Sequence, residues 1–275
     1  MSTQVGIISK LTAEHTTPIN YFLHLGADPI SLNGLLGKKL RLRFTGKIHC
    51  NHCARPIKKT YRGYCFPCSQ KLASCDLCIV KPELCHFHLG TCRDPRWASQ
   101  HCMIPHYIYL ANTSELKVGI TRKNHIPNRW LEQGATSALP IIEVKTRQQS
   151  GFVEEIFKQF VKDKTNWRQL LRCENENVDL RALASILLEK ADTGLQKVLE
   201  YYGKENITLL KDPFLFQFSY PVIQYPRKLK SLALDKEKEI SDTLLGLKGQ
   251  YFIFDEGVLN IRKHTGFEIE FEAIN

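Results

Sequence analysis

Between residues 29 and 75 the sequence contains no aspartate or glutamate, although the chain carries 28 acidic residues in all. The same window holds ten lysines and arginines, from Lys38 to Lys71, and so accounts for the whole net charge of +10. A basic field of this kind attracts polyanions, of which nucleic acid is the commonest; the plainer alternative is a solvated face. Long apolar runs are also missing. No stretch approaches the ~20 residues that a membrane helix needs. Residues 1–10 lack a basic start followed by an apolar core, so a cytoplasmic chain is expected. Low-complexity linkers and solenoid periods are absent as well. Nucleic acid is therefore the expected partner, DNA or RNA undecided, and no membrane is expected.

What the chain has in excess is clustered thiol. Nine of its ten cysteines lie between Cys50 and Cys102. Without a secretion signal, and with histidines interleaved, metal binding is a better reading than a disulfide framework. Cys50-x2-Cys53 and Cys65-x2-Cys68 are two knuckles separated by eleven residues. Each knuckle turns two thiolates toward one side, and two knuckles complete a tetrahedral site with bonds of ~2.3 Å. A redox pair would need only one of them. Four thiolates on one Zn²⁺ would also cancel about two of the positive charges nearby. The next cluster offers more donors than one ion can use. Cys78, Cys85, His88 and Cys102 are the first choice for a second structural zinc, with Cys75, His86, Cys92 and His101 in reserve.

The expected fold class is α+β, in four parts. Residues 1–48 are β-rich, and Leu40 to Phe44 alternate apolar and basic as a half-buried strand does. Residues 49–103 form a zinc-ribbon-like insert too poor in apolar side chains to build its own core. Residues 104–203 read as a small α/β unit. Its strands lie near 107–111, 117–120 and 141–145, Pro127 opens a helix and Gly134 ends it, and further helices run over 180–190 and 195–202. Residues 204–275 return to β, with turns at Lys248-Gly249 and Glu256-Gly257. Turns are also read at Asn33-Gly34 and Thr45-Gly46. Both ends are expected to share one β domain, because each supplies short strands that need partners.

Residues 106–135, HYIYLANTSELKVGITRKNHIPNRWLEQGA, resemble the GIY-YIG endonuclease superfamily in its divergent KIG form. The resemblance covers about 100 residues. It places Tyr109 on the first strand, Lys117-Val118-Gly119 on the second, Arg129 on the first helix, and Glu154 on a later helix, with Glu155 as the alternative. It implies in-line phosphodiester cleavage with Tyr109 as base or hydrogen-bond donor. Lys117 or Arg122 would clamp phosphate, Arg129 would stabilise charge, and Glu154 would hold Mg²⁺. The chain departs from the pattern in three ways. The opening glycine is missing, the second tyrosine is Lys117, and no second acidic ligand stands near Glu154. His106 and His125 read as surface or loop histidines, with proton transfer as the alternative. In the stretch DKTNWR, Thr165 or Asn166 is expected to cap a helix. RGYCFPC, PELCHFHLGTCRDPRW and KVGITR also resemble a bacterial family known only as a domain of unknown function. Three functions stay open: a zinc-stabilised nucleic-acid-binding protein with a divergent nuclease-like domain, an active Mg²⁺-dependent nuclease, and a zinc-stabilised protein-interaction scaffold.

Overall fold

The computed structural model describes residues 3–161, 166–172, 178–226 and 229–274. The largest sheet has eight strands and takes them from both ends of the chain. Lys39–His49 lies at its centre, between Phe267–Ile274 on one side and Glu239–Lys248 on the other, antiparallel to both. Gln4–Ile7 extends the first edge; Tyr251–Phe254, Val258–Asn260 and Ser231–Leu232 extend the second. The alternation read from Leu40 to Phe44 works as expected. Leu40 and Leu42 are fully buried, while Arg41 and Arg43 face out. Those outward cations meet a row of acids on the neighbouring strand: Arg41 pairs with Glu272, Arg43 with Glu270 and Lys47 with Glu268. Three of the ten cations in the basic window are thus paired with residues more than 200 positions away.

The second sheet has five strands. His106–Asn112 is its middle strand, between Leu116–Arg122 and Ser137–Val144, with Ile207–Leu209 and Phe216–Gln217 both added to Ser137–Val144. Both faces of His106–Asn112 are covered. Ile108 and Leu110 join a core with the helices Arg147–Phe157 and Leu180–Tyr202, while Tyr109 and Ala111 join the core of the large sheet. The small α/β unit is therefore joined to the β domain through this face of the strand together with Trp130, Leu131, Ala135 and Ala138. A small three-stranded sheet, Thr12–Glu14, Asn20–His24 and Pro29–Ser31, completes the β structure. Among the described residues, no helix is long and apolar enough to cross a membrane.

Three local readings change. Thr45-Gly46 is not a turn. The strand runs on through it as a bulge, with Gly46 at φ +90°, and the register against Phe267–Ile274 shifts there. The helices expected over 180–190 and 195–202 are one helix, Leu180–Tyr202. Gly194 looks like a break in sequence but is a contact point: a Cβ there would lie 2.8 Å from Ile156 Cγ2, on the packed neighbouring helix. Finally, His106 is no surface residue; it is fully buried, with Nδ1 2.7 Å from the Ile104 carbonyl. Asn166 caps Trp167–Leu170 by accepting from the Arg168 N–H, while Thr165 lies outside the described residues.

Candidate functional site

The knuckles come together as their spacing requires. Cys50 closes the strand Lys39–His49, and Cys65 precedes the short helix Phe66–Lys71, which carries Cys68. One sulfur from each of Cys50, Cys53, Cys65 and Cys68 lies within 4.8 Å of the other three. N–H groups already point at these sulfurs: Cys65 N donates to Cys50 Sγ at 3.2 Å and Arg55 Nε to Cys53 Sγ at 3.1 Å. Burial opposes ionisation of Cys50, yet backbone donors from Cys53, Cys65 and His52 bring its thiol down to about 6. Cys68 goes the other way, to about 12, chiefly through its hydrogen bond with Cys65. The tetrad can hold a metal ion, and its all-sulfur donor set suits zinc.

The second expected set, Cys78, Cys85, His88 and Cys102, is not gathered at ligating separation. Among the described residues the other group of donors within 4.8 Å is Asp76, Cys78 and His86. His88 is exposed on the turn Phe87–Leu89, whereas Cys85 and Cys102 are buried. Asp76 is engaged already, accepting from Arg93 Nε at 2.7 Å and from the Cys78 N–H at 3.4 Å.

The four residues assigned by the nuclease resemblance fall on the expected elements. Tyr109 is on His106–Asn112, Lys117 on Leu116–Arg122, Arg129 on Asn128–Gln133 and Glu154 on Arg147–Phe157. Tyr109 and Gly119 are cross-strand partners, and a Cβ on Gly119 would come within 2.7 Å of the tyrosine hydroxyl. The glycine of the triplet is therefore what lets the ring lie flat across the second strand. Tyr109 is fully buried, edge-on to Trp130 at 5.6 Å between ring centres. Its hydroxyl lies 2.8 Å from the Gln133 side chain. A guanidinium can only donate, so the Gln133 oxygen is best turned toward Arg129, where it accepts from Nε at 3.2 Å and Nη2 at 3.1 Å. Gln133 was not singled out in the sequence. Its signal was position, one helical turn beyond Arg129.

Glu154 is half-buried with Lys158 Nζ at 3.3 Å, while Glu155 takes the same ammonium at 2.7 Å. Burial raises the Glu154 carboxyl and Lys158 only partly offsets this. The charge of Glu154 reaches both Tyr109 and Arg129, so the constellation is one cluster. Mg²⁺ takes hard oxygen ligands and is held through few protein carboxylates, water and phosphate filling the rest of its shell. There is one carboxylate, already covered by an ammonium, and Glu154 belongs to no group of three metal-ligating side chains among the described residues. Burial also pushes the Tyr109 hydroxyl up, only partly opposed by Arg129, the wrong direction for a base. Glu132, beside this cluster, pairs with Lys10 at 2.6 Å and His125 at 3.6 Å.

A groove of about 880 Å³ opens beside the thiol tetrad. One wall is the loop from Thr60 to Tyr64; the other is the turn before Phe267. The two are tied by Asn51, whose N–H donates to the Gly63 carbonyl at 2.8 Å and whose Nδ2 reaches Thr265 Oγ1 at 3.3 Å. No carboxylate lines the groove, and Lys10, Arg62, Arg262 and Lys263 do. Lys10 is committed to Glu132; the other three have no ion-pair partner among the described residues. Tyr61 and Phe66 stand exposed on the same knuckle, 5.5 Å apart.

No curated protein matches the chain, and neither does any solved structure. A family model does match, over residues 37–269, from the central strand through both thiol clusters and into the last strand. The chain thus belongs to the family described as protein of unknown function DUF2797.

Proposed function

We propose that this is a zinc-stabilised nucleic-acid-binding protein whose GIY-YIG-like unit serves as scaffold rather than as nuclease. The observation that carries the binding reading is the acid-free groove, with Arg62, Arg262 and Lys263 unneutralised beside the Cys50/Cys53/Cys65/Cys68 centre. A phosphate backbone supplies the missing counter-charge, and the exposed Tyr61 and Phe66 offer faces on which bases stack. Zinc at the tetrad would fix the wall that carries Arg62. Against cleavage stands Tyr109, sealed from water and bonded to Gln133, where a base must touch its substrate.

Fluorescence anisotropy with labelled single-stranded DNA, duplex DNA and structured RNA tests this, titrated at several salt concentrations. Wild-type protein should bind with affinity that falls steeply with salt. The triple substitution Arg62→Ala, Arg262→Ala, Lys263→Ala should reduce the slope of log K against log salt by about 2–3, because each phosphate contact contributes ~0.7–0.9. Absent or salt-independent binding by wild type refutes the reading. The same samples, incubated with Mg²⁺ or Mn²⁺ alongside Glu154→Gln, should show no cleavage. Cleavage by wild type but not by the variant would establish the nuclease instead.

A further inference from the structure

Five cysteines between Cys50 and Cys102 are left over by the first tetrad. Two adjacent residues of one helix gather three of them. Arg147 donates its backbone N–H to the Cys102 carbonyl at 2.8 Å, and its Nη2 to the carbonyl of Ile79, next to Cys78, at 2.7 Å. Gln148 Nε2 donates to the Cys85 carbonyl at 2.7 Å. One turn on, Gly151 lets the Pro82–Leu84 turn lie directly on the helix: a Cβ there would meet the Glu83 nitrogen at 2.5 Å. Cys85 and Cys102 are buried, Cys78 and Cys92 half-buried. Cys85, Cys92 and Cys102 all bear electrostatically on the Cys78 thiol, and Cys85 and Cys92 on Cys102, so the four share one neighbourhood, although no three of their sulfurs lie within 4.8 Å of one another.

A second observation concerns charge. Arg147 Nε is buried and has no hydrogen-bond partner. The corresponding group at the first centre is satisfied, since Arg55 Nε donates to Cys53 Sγ. A buried guanidinium with an open N–H is costly unless an anion faces it. A zinc ion on four thiolates carries a net charge of about −2.

We infer that Cys78, Cys85, Cys92 and Cys102 are the ligands of a second structural zinc ion, with Arg147 as the positioning residue that balances its charge. The assignment goes beyond nucleic-acid binding and does not depend on it. Each thiol gives up its proton as it ligates, and the four sulfurs draw together on the metal by side-chain rotation. Cys92 takes the place that the spacing offered to His88, because His88 faces solvent. The competing set is Asp76, Cys78 and His86, whose ligand atoms lie within 4.8 Å. Using it would break the Asp76–Arg93 pair. The consequence is mechanical: this zinc clamps the thiol-rich insert onto the first turn of Arg147–Phe157, the helix that carries Glu154.

The test uses full-length protein purified with zinc. Metal content by inductively coupled plasma mass spectrometry and zinc K-edge absorption fine structure are both read on wild type, where folding is not in question. Two zinc ions per chain with an average of about four sulfurs each are expected. One zinc per chain overturns the proposal. So does an average of about 3.5 sulfurs or fewer, the mark of nitrogen or oxygen ligands at the second site. Cys92→Ser should lower the content from two to one, whereas His86→Ala and His88→Ala should keep two. Retention of two by Cys92→Ser, or loss of one by either histidine variant, refutes the ligand set. Should Cys92→Ser fail to fold, Cys75→Ser decides between the two remaining thiols: it should keep two zinc ions, and loss of one refutes the ligand set.

Discussion

At the scale of single residues, the Tyr109 cluster is held by volume as much as by hydrogen bonds. Gly119→Ala drives a methyl group into a hydroxyl that has nowhere to go, since the ring is wedged against Trp130. A loss of about 2–3 kcal/mol is expected, read as a lower urea midpoint at constant slope. Tyr109→Phe removes only the bond to Gln133 and should cost about 1 kcal/mol. Glu132 makes a sharper pH prediction. Burial would raise its carboxyl, but His125 and Lys10 overcome this and hold it at about 2, against 4.5 for an ordinary glutamate. Its folded pKa lies below its unfolded one, so its stabilisation is complete above pH 4.5 and is lost as pH falls toward about 2. Glu132→Gln should therefore cost about 1 kcal/mol at pH 7, the full shift being discounted because Lys10 is half exposed. Unfolding curves at pH 7, 5 and 3 check this: the gap between variant and wild type should close with acid.

At the scale of elements, the acids of Phe267–Ile274 decide how much of the basic field is available. Arg41, Arg43 and Lys47 read in sequence as free cations, because the window that holds them contains no acid. Their partners, Glu272, Glu270 and Glu268, sit on a strand whose pairing no local pattern announces. Glu270→Gln together with Glu272→Gln should cost under ~1 kcal/mol, as exposed pairs do, and should raise the salt needed to elute the protein from heparin. Elements with a local signal were legible. The CxxC knuckles, the alternation of Leu40 and Leu42, and the Pro127 and Gly134 ends of the Arg129 helix all follow from short-range chemistry. What was hidden depended on remote neighbours. Gly194 reads as a break until Ile156 is seen against it, and Thr45-Gly46 reads as a turn until the bulge is seen. His106 passed for a loop residue although both strands beside it cover it. Gln133 and Arg147, which organise the two clusters, were assigned no role by any motif and were found only by contact.

At the scale of the whole molecule, the first metal centre, the groove and the large sheet share one joint: Cys50 follows directly on Lys39–His49, and Asn51 ties the knuckle to Thr265. Chelation should therefore abolish polyanion binding while hydrogen exchange in Lys39–His49 and Phe267–Ile274 stays slow, because that sheet keeps its own core. Loss of protection across the large sheet would show that the metal holds the entire lobe. A chain ending at Lys238 should fail altogether, since Lys39–His49 would lose both neighbours at once; insolubility on expression, against a soluble full-length control, is the readout. The same topology sets a timetable for synthesis. The central strand leaves the ribosome about 190 residues before its first long partner is made, roughly 10–40 s at ordinary elongation rates. Throughout that wait it is an unpaired edge, and its alternate lysines and arginines are what keep one nascent chain from adding itself to another.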